Sequence, residues 1–125
     1  MAFKIFTRKN EHINAEPEVL ITRYGKFTFN VTATEKMRDK DIVKFTILFW
    51  DDETKIMGIR GVDSEDSAYP VYRLSPESRR KRFQISSIVF LRHIKIGEFY
   101  RLKLPVVWNE QEKLFTISFP EKYFF

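Results

Sequence analysis

A stretch that occurs twice sets the strongest limit on how this chain folds. Residues 25–61, GKFTFNVTATEKMRDKDIVKFTILFWDDETKIMGIRG, have a relative in residues 81–119, KRFQISSIVFLRHIKIGEFYRLKLPVVWNEQEKLFTISF. At the front, Phe27, Phe29 and Asn30 answer to Phe83, Ile85 and Ser86. At the back, Trp50 to Lys55 followed by Ile56 and Ile59 answers to Trp108 to Lys113 followed by Leu114 and Ile117. Self-similarity over this length implies one supersecondary unit written twice.

Each copy carries the same local signals. Lys26 to Phe29 alternates, so Phe27 and Phe29 share one face of a short strand. Asn30 then suits the N-cap of a helix over Val31 to Met37, and Ser86 or Ser87 suits a second helix over Ile88 to Lys95, with Gly97 as its stop. Ile42 to Trp50 and Ile56 to Arg60 flank the loop DDETK as a hairpin. Tyr100 to Trp108 and Leu114 to Phe119 repeat that hairpin, and Pro105 marks its first strand as an edge or a bulge. Further strands are expected over residues 2–7, Glu18 to Arg23 and Tyr69 to Leu74.

The expected fold class is mainly β (α+β), with two βαββ-like pseudo-repeats in one domain. The first repeat spans about 18–61 and the second about 69–119, after an N-terminal strand and loop at 1–17 and before an aromatic tail at 120–125. A length of 125 residues fits a single core. Helices of two turns are unstable alone, so both must be held by packing on the strands.

Several function classes lack their residues. There is no cysteine, which removes disulfides, thiolate metal sites and cysteine nucleophiles. His12 and His93 have no companion ligand at metal spacing, and Asp51, Asp52 and Glu53 lack the glycine and alternating oxygens of a calcium loop. No phosphate loop, nucleophile elbow or acid–base pair is present. The expectation is a non-enzyme without cofactor or metal. Neither a signal-peptide pattern nor a 20-residue apolar run of membrane-span length occurs, so a cytoplasmic protein without a membrane partner is expected.

The formal net charge of +5 favours an anionic partner, and its distribution matters more than its size. Arg79, Arg80, Lys81 and Arg82 form a run beside a strand, and further cations gather around Arg92, Lys95, Arg101 and Lys103. Acids gather instead at 51–53 and 63–66. Arg23, Lys26 and Arg73 add basic positions at corresponding points of the two repeats. The candidate nucleic-acid-binding set is therefore Arg23, Lys26, Arg73, Arg79, Arg80, Lys81, Arg82 and Arg92, acting on phosphates, since no base-reading set is evident. Trp50 and Trp108 are expected to pack rather than to stack on bases. The tail residues Tyr123, Phe124 and Phe125 would be costly in water, so they either pack on the body or make a homo-oligomer or protein contact.

The order strand, short helix, hairpin resembles the swapped-hairpin DNA-binding fold of the AbrB, SpoVT and MraZ families. Gly25 to Asn30 stands where the family's Gly-Arg run begins, and Asp51 to Glu53 stands at its acidic turn. Asn30 and Ser86 occupy the family's proline position, Lys81 its second glycine, and Thr34 and Phe90 its helical arginine position. The resemblance implies one barrel-like body of intertwined hairpins, with DNA contact at Lys26 and Arg82 and a role in transcription regulation. A weaker resemblance, to Whirly-type proteins, implies single-stranded nucleic acid. The competing class is a protein interaction or assembly module that keeps the fold without DNA binding.

Overall fold

Alternation of buried and outward side chains marks the strands Glu18–Thr22, Lys26–Phe29, Phe83–Ser86 and Arg101–Pro105. A computed structural model describes residues 16–64, 70–76 and 82–124. The strand expected at 2–7, the basic residues Arg79, Arg80 and Lys81, and Phe125 lie outside the described residues.

The elements in chain order are β1 (Glu18–Thr22), β2 (Lys26–Phe29), α1 (Val31–Asp39), β3 (Phe45–Asp51), β4 (Ile56–Val62), β5 (Tyr72–Arg73), β6 (Ser75–Pro76), β7 (Phe83–Ser86), α2 (Ile88–His93), β8 (Arg101–Pro105), β9 (Val107–Asn109) and β10 (Leu114–Ser118). A 3-10 turn, Glu121–Tyr123, ends the described chain. They form two five-stranded antiparallel sheets, ordered β6-β7-β2-β1-β8 and β5-β3-β4-β10-β9. The molecule is thus mainly β, and its two sheets remain open where a single barrel-like body was expected.

Both sheets turn an apolar face inward. Val19 and Ile21 of β1, Phe27 and Phe29 of β2, and Ile85 of β7 are fully buried together with Met57, Ile59 and Ile117 of the second sheet. The two helices add Ala33, Met37, Phe90 and Leu91 to the same core cluster. Burial of this face supplies the driving force that neither two-turn helix has alone.

The caps set the helix ends. Asn30 Oδ1 accepts from the Ala33 amide at 2.8 Å and from the Glu18 amide at 3.2 Å, while its Nδ2 donates to the Glu16 carbonyl at 2.7 Å. One side chain therefore starts α1 and ties it to the beginning of β1. In the second half Ser87, not Ser86, is the cap, its Oγ accepting from the Phe90 amide at 3.0 Å. Ser86 is the last residue of β7 and points outward. Asp41 and Lys95, with φ of 59° each, reverse the chain after the two helices. That reversal delays β3 to Phe45, three residues beyond the expected start, because Ile42 first turns inward against Gly61.

Pro105 acts as its chemistry requires. It ends β8 at the edge of the first sheet, and the chain then crosses through Val106 to run as β9 at the edge of the second. An edge position leaves no ladder bond waiting for the missing N–H. The tail folds back: the Gly97 amide donates to the Tyr123 carbonyl, Tyr123 meets Phe99, and Phe124 lies 5.6 Å from the Trp50 ring.

Candidate nucleic-acid interface

The first sheet keeps one face in solvent, and strand parity decides what it carries. Glu18, Leu20 and Thr22 of β1, Lys26 and Thr28 of β2, Gln84 and Ser86 of β7, and Arg101, Lys103 and Pro105 of β8 alternate with the buried positions. Registry places them in rows. Gln84, Thr28, Leu20 and Lys103 lie side by side across four strands. Ser86 pairs with Lys26, and Thr22 pairs with Arg101. With strands about 4.8 Å apart, Lys26 and Arg101 stand about 10 Å from each other across β1.

Arg82 joins this face just before β7. It lines a groove of about 620 Å³ with Glu18, Leu20, Thr28, Asn30, Arg101 and Lys103. Among the described residues, Arg82 Nε is the one buried side-chain polar atom without a hydrogen-bond partner. Glu18 is the single acid among the outward positions of β1, β2, β7 and β8, against Lys26, Arg101 and Lys103, with Arg82 at the margin.

At one end of the sheet the β1–β2 turn carries a second cluster. Gly25 takes φ 87°, and its amide donates to the Thr22 carbonyl at 3.0 Å, so Arg23 and Tyr24 project from a closed four-residue turn. The Arg23 guanidinium lies 5.0 Å from the Tyr24 ring centroid and 5.9 Å from that of Tyr100. A groove of about 590 Å³ runs beside it, lined by Arg23, Ile88, Leu91, Arg92, Phe99 and Tyr100 among others.

The expected set therefore divides. Lys26 and Arg82 lie on the outer face of the first sheet, and Arg23 and Arg92 share the groove at its end. Arg73 does not join them, because β5 belongs to the second sheet, where Arg73 pairs with Phe45 and lies 5.7 Å from its ring. The sequence noted Arg101 and Lys103 only as part of a basic region, and it missed Tyr24 and Tyr100 as partners of Arg23. The exposure of Arg101 and Lys103 follows from the alternation of β8, but their position beside β1 depends on pairings of Thr22 with Arg101, 79 residues apart, and of Leu20 with Lys103, 83 apart.

Besides Glu18 on this face and Glu98 in the groove beside Arg23, acids cluster on the second sheet. At the two hairpin tips of the second sheet, Trp50 Nε1 and Lys55 donate to Asp52, and Trp108 Nε1 and Lys113 donate to Glu110. The Lys113 hydrogen bond, then that from Trp108, lowers the Glu110 carboxyl to about 2. The Lys55 hydrogen bond likewise lowers Asp52, while the Thr54 and Glu53 backbone amides lower Asp51. These tips stay ionised at neutral pH and disfavour a polyanion there.

The helical positions that the family resemblance would use on DNA are internal. Thr34 is 1% exposed, its hydroxyl accepting from the Phe83 amide at 3.0 Å, and Phe90 is 6% exposed and packs on Phe27 and Trp50. Trp50 and Trp108 both pack against the core. Among the described residues, no group of three or more His, Asp or Glu is placed to hold a metal, and no helix is long and apolar enough to cross a membrane. Compared with known proteins, the chain has no significant match to a family model, a curated protein or a solved structure.

Proposed function

We propose that this protein binds nucleic acid by its phosphates, through the outer face of the first sheet. The observation that carries the reading is the convergence of Lys26, Arg82, Arg101 and Lys103 on an open polar face where Glu18 is the single acid. Cations at strand spacing neutralise successive phosphates and release counterions. Thr28, Gln84 and Ser86 between them supply neutral donors that position a backbone without selecting a sequence. DNA is the partner this reading names, in the manner of a transcription-regulator-like domain.

The reading extends to the architecture. Two strand–helix–hairpin units in one chain would be a duplicated relative of the AbrB, SpoVT and MraZ swapped hairpin. Supporting this, β2 pairs antiparallel with β7, β4 with β10, and the two hairpin tips repeat one set of Trp, acid and Lys contacts.

Mapping of backbone amide shifts on adding a DNA oligonucleotide tests the reading. Shifts are expected at Leu20, Thr28, Gln84 and Lys103. Shifts confined to the second sheet, or none at low salt, would refute it.

A second reading, a protein interaction module, is favoured by a different surface. On the outer face of the second sheet Phe49 is 38% and Val107 58% exposed, with the Arg60 guanidinium 4.9 Å from the Phe49 ring. In the described part of the aromatic tail, Tyr123 and Phe124 are partly buried against the core.

A further inference from the structure

We infer that the arginine–tyrosine cluster at the β1–β2 turn is a stacking site for unpaired bases, so that the protein prefers single-stranded to duplex nucleic acid. This rests on the phosphate-binding reading above and names its substrate class.

Tyr24 and Tyr100 are 72% and 71% exposed, the two most exposed large hydrophobic side chains among the described residues. They are nevertheless held in place. Arg23 Nη2 donates to the Tyr24 hydroxyl at 2.8 Å while its guanidinium faces both rings. Arg101 approaches the Tyr100 ring at 5.4 Å and pairs across the ladder with Thr22. Two aromatic faces are thus fixed on cationic supports directly at the end of the basic sheet face. Beside them, Ile88, Leu91 and Phe99 line a groove whose charged members are Arg23, Arg92 and Glu98.

A duplex cannot use such a platform. Its bases are stacked on one another, and it presents only phosphates and groove edges. A single strand presents free base faces, and each base stacked on an aromatic side chain gains about 5- to 150-fold in affinity with little regard to sequence. The backbone leading to a base on Tyr24 or Tyr100 would continue over Lys26 and Arg101, whose strands the two tyrosines precede.

The test uses the whole chain with a labelled oligothymidine of about 12 nucleotides, within the usual site size, and a dA·dT duplex of the same length. The single strand is expected to bind more tightly. The variant Tyr24→Ala/Tyr100→Ala is expected to lose about 25-fold or more on the single strand and to keep its duplex affinity, while Tyr24→Phe/Tyr100→Phe keeps both within about threefold. Equal affinity for the two probes, or equal loss on both in the alanine variant, would overturn the stacking site and leave phosphate binding standing. Failure of the parent protein to bind either probe at low salt would overturn both.

Discussion

Replacing Gly25 with alanine is expected to cost about 2–5 kcal/mol of folding stability, from the sum of a left-handed backbone penalty and overpacking. Two independent facts add here. The residue holds φ 87°, where a side chain is strained whatever the space. A Cβ would also stand 2.4 Å from the Ile88 nitrogen and 2.6 Å from its Cα, so it meets the backbone of α2, which cannot swing aside as a side chain would. The Gly25 carbonyl accepts the Ser87 amide at 2.8 Å, which welds the β1–β2 turn to the N-cap of α2. Relief of the clash therefore pulls apart the turn that presents Arg23 and Tyr24. Denaturant unfolding measures the loss, and a change below about 1 kcal/mol would show that this contact is looser than described.

Reversing two charges on β8, Arg101→Glu with Lys103→Glu, is expected to weaken nucleic-acid binding by about 10- to 100-fold at low salt, on both single strands and duplex. Under the proposed function each change would remove one phosphate contact and add one repulsion. Both side chains are exposed on an edge strand, so the fold bears little of the change. Thermal unfolding within a few degrees of the parent separates a binding effect from a folding one. Unaltered affinity in a folded variant would remove β8 from the interface.

The local grammar of this chain was legible. Lys26 to Phe29 alternates and is a strand with those bounds, Asn30 is the cap of α1, and Pro105 ends an edge strand. Each of these is decided within a few residues by backbone sterics or one hydrogen bond. What pairs with what was not legible. The repeat suggested that Arg23 and Arg73 are equivalent, yet β1 lies beside β2 and β8 while the strand of Arg73 lies beside β3 in the other sheet. The same long-range pairing brings Arg101 and Lys103 onto the face that carries Lys26, which no periodicity encodes. Ser86 and Ser87 were equally good caps by composition. Parity of β7, with Phe83 and Ile85 buried, settles the choice by leaving Ser87 to start the helix. The cost of exposed aromatics left two fates open for the tail, packing on the body or a contact with another chain, and the meeting of Phe124 with Trp50 shows packing for that residue.

The most direct measurement is the affinity for an oligonucleotide across a salt series. Four phosphate contacts, by Lys26, Arg82, Arg101 and Lys103, predict that log affinity falls against log salt with a slope of about −3 on a single strand and about −3.6 on duplex. A flat line, or binding undiminished in high salt, would contradict the claim that this sheet face reads phosphates.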